Sequence, residues 1–311
     1  METFKTYRRD FLTDTGGANG FGFLTMAFGA QRYMDQALAL AKSFRRHMPN
    51  ERLCLVTDRE TADPVFDDVV TMDPFGVAGT ILKTRLYDYS PYDETFFIDS
   101  DSIVCRNFSE HVEKMRAWDI TPVCNSYLKR GDRDLWLHDV GAALDKVGGD
   151  AFPKFNGGVY FFRRSDFASE LFERTRQMML RADELGIINF DSAGPGDETV
   201  MGLAFAEMKV GPLYDDNFGL MRTPLNSVGR IVADPFSGKS EIFKNGRRMS
   251  PAIVHFCGAY ASHVTYLRAQ RALELGHAPS PFEELKMQAQ WRWTTLGKRL
   301  SARFGMNGSS P

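Results

Sequence analysis

The 311-residue chain has few of the features that would place it at once. Its four cysteines, Cys54, Cys105, Cys124 and Cys257, are widely spaced with no C-x-x-C pair, so reduced thiols are expected rather than a disulfide framework. Cys54 and Cys257 lie in apolar runs of buried-strand type. No run reaches the roughly 20 apolar residues needed to cross a bilayer, and METFKTYRRDFLTD has no apolar segment of signal-peptide length. The expectation is a soluble cytoplasmic protein, at most peripheral at the inner membrane surface. Neither sign of charge dominates: 38 basic residues face 40 acidic ones for a formal net charge of -2, which argues against a general nucleic-acid binder. Internal repeats and low-complexity linkers are also lacking. What is present is apolar material, 43% of the chain, enough for a substantial core.

The patterning predicts strands alternating with helices. FGFLTMAFG reads as a strand, and QRYMDQALALAKSFRRHM carries Met34, Ala37, Leu38, Ala41 and Phe44 at helical spacing. RLCLVTD, DDVVTMD and ETFFIDSD read as further strands, with TILKTRLYDYS as a helix between the last two. DITPVCNS, GGVYFFRRS and PAIVHFCG continue the strand series. Ser165 is placed to cap a helix over DFASELFERTRQMMLRADEL, and GDETVMGLAFAEM forms a shorter one. This is an α/β pattern with a mostly parallel, doubly wound sheet flanked by helices, whose ligands sit at the carboxyl ends of the strands. The expected division is a lead-in over 1–20, one domain over 21–265 and a helical, basic and aromatic tail over 266–311.

In FFIDSDSIV an apolar strand ends in Asp99, Ser100 and Asp101. Two carboxylates at a strand end that turns into a loop can converge on one divalent ion, and oxygen ligands suit magnesium or manganese bridging to phosphate. A D-x-D by itself arises by chance about once in a chain this long. A second copy, Asp132 and Asp134 in GDRDLW, lacks the apolar strand and reads as a solvated loop. His255, after Ile253 and Val254, is either a core histidine bonded to backbone or a third metal ligand that tilts the preference toward manganese. Lys83 and Arg85 are ordinary helix-surface residues or a diphosphate clamp. Asn156, Gly157 and Gly158 stand ahead of an apolar strand, where glycines make a turn or let a ligand approach the backbone. Asp197 and Glu198 suit a helix N-terminus on dipole grounds alone.

Taken in order, FLTMAFGAQRYMDQALALAKS, KTRLYDYSPYDETFFIDSDSIV, FNGGVYFF, GDETVMGLAF and IVHFCG resemble the GT-A glycosyltransferases, in the layout of the glycogenin and lipopolysaccharide galactosyltransferase family of retaining enzymes, over roughly residues 21–260. The resemblance implies a GT-A fold and transfer of a hexose from a UDP-sugar to a glycan or glycolipid acceptor. It implies that Asp99, Asp101 and His255 hold manganese or magnesium against the donor diphosphate. Lys83 falls at the family's basic position, with Arg85 as the alternative, and Tyr33 matches a tyrosine near the uracil. Ser100 and Gly258 belong to the same donor-binding motifs. Asn156 and Gly157 match the strand edge beside the donor sugar, and Asp197 a residue that binds sugar hydroxyls.

Two departures stand out. Glu198 replaces the family's usual glutamine and is similar to the Asp-Glu pair of the blood-group-type α-galactosyltransferases, where a carboxylate lies beneath the anomeric carbon. HFCGAYASH lacks the lysine that usually follows HFxG, leaving Lys239, Lys244, Arg247, Arg248 or His263 to supply its charge.

Two other readings compete. The acidic motif also resembles that of haloacid-dehalogenase-type phosphatases, although there it opens the fold. A non-catalytic nucleotide-sugar-binding protein would keep the motifs without turnover. In the tail, Lys286, Arg292, Lys298, Arg299 and Arg303 are interleaved with Trp291, Trp293, Leu296, Leu300 and Phe304. That pattern suits a helix packed on the domain or a membrane-surface anchor.

Overall fold

A computed structural model of the chain describes residues 20–72, 79–190, 194–280 and 282–289. The aromatic and basic residues 291–304 of the expected tail lie outside the described residues.

The first half alternates strand and helix: β1 (Phe21–Ala27), α1 (Gln31–His47), β2 (Leu53–Thr57), β3 (Asp68–Thr71), α2 (Gly79–Leu82), α3 (Leu86–Tyr89), β4 (Glu94–Ile98), β5 (Ser102–Val104) and α4 (Ser109–Met115). There follow β6 (Ile120–Leu128), α5 (Val140–Val147), β7 (Phe152–Arg163), α6 (Asp166–Leu180), α7 (Ala182–Leu185) and α8 (Asp197–Glu207). The last part holds β8 (Met221–Arg222), β9 (Val232–Asp234), β10 (Lys239–Lys244), β11 (Arg247–Met249), β12 (Ile253–His255) and α9 (Val264–Leu275).

The main sheet has the order β3-β2-β1-β4-β7-β6. Its first four strands are parallel, and β7 runs antiparallel to both β4 and β6. Successive residues of a strand face opposite sides, and both sides here are apolar, as expected of a sheet covered on both faces. Phe23, Leu53, Phe96, Ile98 and Phe161 point to one core, where α1 lays Ala37, Leu40, Ala41 and Phe44 against them. Leu24, Cys54, Phe97, Tyr160 and Phe162 point to the other, covered by α6 and α8 through Leu171, Phe172, Val200 and Phe205. A small sheet, β5-β12-β8, extends from the carboxyl edge, and the hairpin β10-β11 with β9 packs beside it. The start of the expected tail is α9, which buries Tyr266, Ala269, Ala272 and Leu273 in a third cluster. Among the described residues no helix is long and apolar enough to cross a membrane.

Three elements differ from the sequence reading. The helix expected over TILKTRLYDYS is broken into α2, a 3-10 turn at Lys83–Arg85 and α3. The carbonyl of Thr84 is taken there by the Arg176 guanidinium at 3.1 Å instead of by the next helical turn. The strand expected after FNGG begins earlier, at Phe152, so Asn156, Gly157 and Gly158 lie inside β7, at an irregularity in its pairing with β6. PAIVHFCG contributes only the three residues of β12.

Candidate active site

The ladder bonds that build the sheets also bring the acidic residues together. Ile98 of β4 pairs with Val159 of β7, and the pairing runs on one step, with Asp99 N–H donating to the Gly158 carbonyl at 2.9 Å. The chain turns through buried Ser100 into β5. In the small sheet Ser102 pairs with His255, and Phe256 N–H donates to the Asp101 carbonyl at 2.9 Å. Register alone therefore sets the buried His255 ring beside both aspartates, at the carboxyl edge of the parallel strands.

His255 Nε2 lies 2.8 Å from Asp101 Oδ1 and 3.4 Å from Asp99 Oδ2. Both Asp101 Oδ1 and His255 Nε2 are buried, yet neither has a hydrogen-bond partner. One ligand atom from each of the three residues fits within a 4.8 Å cluster, so the trio has the donor set and the spacing of a cation site. The opposite side of the imidazole is fixed: Nδ1 lies 2.6 Å from Asn156 Oδ1, which also accepts from Gly158 N–H at 3.2 Å. That carbonyl oxygen can only accept, so Nδ1 carries the proton and Nε2 is the nitrogen turned to the carboxylates. Burial would lower the His255 pKa, but Asp101 and Asp99 outweigh it and hold it well above the ordinary histidine range. Hydrogen bonding of the ring to backbone, the bland reading of its sequence context, is not what is found. The ring contacts side chains on both sides.

Lys83, turned inward by the 3-10 turn, reaches Asp99 Oδ2 at 2.5 Å and Asp197 Oδ2 at 3.6 Å. Burial works against the ammonium, but Asp197 and Asp99 outweigh it and raise its pKa. Asp99 has the shorter contact; burial pushes its pKa up, and Lys83 with His255 brings it well below the usual carboxylate range. Asp197 has the longer one and is raised, by burial opposed by Lys83 and reinforced by Asp99. Glu198 is raised too, by burial and then by the neighbouring Asp197 charge. Its Oε1 accepts from Asn156 Nδ2 at 2.8 Å and from Gly157 N–H at 3.0 Å. Asn156 thus joins the two halves of the cluster, His255 at one end of its amide and Glu198 at the other.

Both glycines of FNGG are required by closeness. A Cβ on Gly157 would stand 2.4 Å from Asp197 Oδ2, and one on Gly158 would stand 2.4 Å from His255 Nδ1. Tyr160, not singled out in the sequence, donates its hydroxyl to Asp197 Oδ2 at 2.9 Å. Regular period two would set Tyr160 with Asn156 and Gly158, and the irregularity in β7 brings its hydroxyl beside Gly157 and Asp197 instead, so no local signal marked it.

The remaining sequence candidates are dispersed. Tyr33 is 36% exposed on the first turn of α1, with the Arg32 guanidinium 4.7 Å from its ring centre. The Arg85 charge acts on Tyr89 and Glu173, and Lys83 reaches the acidic cluster. Gly258 opens a 3-10 turn with a φ of +59°, and nothing lies within 4 Å of where its Cβ would be. Of the five bases considered for the missing lysine, Arg248 pairs with Glu241, Arg247 lies over Phe218 and His263 caps α9 through Nδ1. Lys244 is lowered by burial, partly offset by Cys257 in the turn after His255. The second D-x-D is only half as expected. Asp132 is exposed, whereas the Asp134 side chain is 3% exposed and paired with Lys154 at 2.6 Å, so it is no solvated loop residue.

No protein-family model matches the chain, and no curated protein matches it in sequence. Among solved structures it is similar to the galactosyltransferase LgtC in complex with donor and acceptor sugar analogues, at 17% identity and a TM-score of 0.52, over 86% of this chain and 99% of that one. An active-site mutant of LgtC matches at 16% identity with the same TM-score of 0.52 and the same coverage. The likeness establishes the fold, which is the GT-A architecture expected from the ordered motifs. Nothing in it supports the phosphatase reading.

Proposed function

We propose that this chain is a metal-dependent glycosyltransferase that moves a hexose from a UDP-sugar to a hydroxyl of a glycan or glycolipid, with retention of anomeric configuration. The observation that carries the reading is the pair of buried atoms Asp101 Oδ1 and His255 Nε2, 2.8 Å apart and without hydrogen-bond partners. Two carboxylates and an imidazole held that close away from water call for positive charge among them, which a proton on the ring supplies in the free protein and a bound cation would supply in its place. The fold shared with a galactosyltransferase turns that demand into a donor-binding role.

Asp99, Asp101 and His255 would hold the ion, and two carboxylates with one imidazole suit manganese, then magnesium. When bound, such an ion neutralises charge on the diphosphate leaving group. Lys83 orients Asp99 and adds the one ammonium of the cluster. Lys244, partly buried on β10, is the base we assign to the place of the missing lysine. Tyr33 on the first turn of α1 would meet the base, Gly258 leaves open space beside its backbone for the donor, and Gly157 and Ser100 would line the same edge. Asp197, held by Tyr160, binds sugar hydroxyls. Glu198 has Oε1 pinned by Asn156 and Gly157 and so presents its other oxygen to the reacting carbon, as nucleophile or as stabiliser of an oxocarbenium-like transition state.

The test is calorimetry of UDP with and without manganese, on the wild type, Asp99→Ala and Asp101→Ala, followed by UDP release from a panel of nucleotide sugars. Binding should require manganese and vanish in both variants. Metal-independent UDP binding, or variants that bind as the wild type does, would overturn the reading. Tight binding with no turnover on any donor would make the chain a sensor. Product NMR checks the stereochemistry: a β-linkage from an α-linked donor would recast Glu198 as a general base.

A further inference from the structure

We propose that Trp136 and Phe190, with the ion pair Asp134–Lys154, form a platform for a neutral pyranose of the acceptor beside Glu198. The inference rests on the glycosyl-transfer reading above and gives it an acceptor class.

Two independent paths lead from Glu198 to this patch. Along β7 the contacts follow in order: Gly158 against His255, then Asn156 and Gly157 on Glu198, then Lys154 on Asp134. The Lys154 charge is among those that act on Glu198. From α8, Gly196 immediately precedes Asp197 and Glu198, and it packs so closely on Phe190 that a Cβ would stand 1.9 Å from the ring. The Phe190 ring in turn packs on Trp136. Both paths end at one loop, which is held in place by Trp136 N–H to Asp134 Oδ1 at 2.9 Å and Ile188 N–H to the Trp136 carbonyl at 2.9 Å.

The chemistry of the patch is selective. A pyranose has an apolar C–H face and a rim of hydroxyls, and an aromatic surface beside fixed polar groups is its complement. Trp136 is partly exposed. Lys154 is 31% exposed at the side chain and can donate to the rim, while Asp134, 3% exposed, holds it in place. An anionic acceptor group is disfavoured because Asp134 already neutralises Lys154. A lipid chain is disfavoured because Leu135, 71% exposed, is a single residue rather than an apolar patch.

Saturation-transfer NMR tests this on the whole chain with UDP and manganese present, using methyl α- and β-glucopyranoside and methyl α- and β-galactopyranoside as probes. The wild type should transfer saturation to ring protons of at least one glycoside. Trp136→Ala should cut that signal by about fivefold or more, Trp136→Tyr should retain most of it, and the UDP signal should be equal in all three proteins. Equal glycoside signals in wild type and Trp136→Ala, or no glycoside signal from the wild type, would overturn the platform. So would loss of UDP binding in Trp136→Ala, because the side chain would then be structural. A wild type that shows glycoside signals and no UDP signal would sink the donor reading and leave the sugar platform standing.

Discussion

At Gly157 one methyl group tests how closely the site is built. It would stand 2.4 Å from Asp197 Oδ2 and 2.8 Å from the Tyr160 hydroxyl, two buried groups that hydrogen-bond each other. Displacements of about 1 Å at a reacting centre cost on the order of 100-fold in rate. Gly157→Ala is therefore expected to lose about that much turnover while circular dichroism stays unchanged. Asp216 is sensitive to pH instead. Its side chain is 0% exposed and accepts from Arg222 at 2.7 Å, from Asn125 and from the Leu220 N–H. Burial pushes its pKa up, but Arg222 and the other donors outweigh it, so the folded value lies below the unfolded one. A depressed carboxylate contributes its full stability above the unfolded pKa of about 3.9 and loses it as pH falls through the folded value. Asp216→Asn should lower the urea midpoint at neutral pH and flatten its decline below about pH 4. Midpoint curves that run parallel for the two proteins would count against the assignment.

At the scale of elements, α6 gives a clean test of local coding. Ser165 has extended backbone and its hydroxyl accepts from Ala168 N–H at 3.1 Å, as the sequence predicted. Ser165→Ala should cost about 1 kcal/mol in urea unfolding, and Ser165→Asp much less. Features of this kind were legible because they are local: the run of apolar residues in β1, β2 and β4, the cap of α6, and the aspartates at the end of β4. His255 was legible as a candidate ligand, but its alignment with Asp101 depends on the pairing of β5 with β12, and register is not written in either strand alone. The break at Lys83–Arg85 was hidden for a similar reason. Helical periodicity runs through TILKTRLYDYS without interruption, and the competitor for the Thr84 carbonyl is Arg176, far away in sequence. Trp136 and Phe190 likewise meet only in the fold.

At the scale of the molecule, a chain of formal net charge -2 gathers Asp99, Asp101, Asp197 and Glu198 in one cluster around Lys83. Manganese with UDP should stabilise the folded state by about 2.7 kcal/mol when the ligand is at 100 times its dissociation constant, read as a rise in melting temperature that chelation reverses. UDP without the ion should produce little shift. An equal shift with and without manganese would speak against the cation site. The core on the α1 side supports this edge: Phe23, Phe44, Phe96 and Phe108 pack together below it. Phe96→Ala should accordingly cost about 3–5 kcal/mol, with loss of soluble protein at elevated temperature as the readout.

The amide of Asn156 has one oxygen and one nitrogen and cannot be turned around without breaking both of its partnerships. On the proposed reading, ion selectivity and donor-sugar selectivity are therefore not independent traits. An engineer who alters Glu198 to accept a different sugar should expect the metal preference to drift as well, and a screen for a new metal should return changes in the sugar pocket.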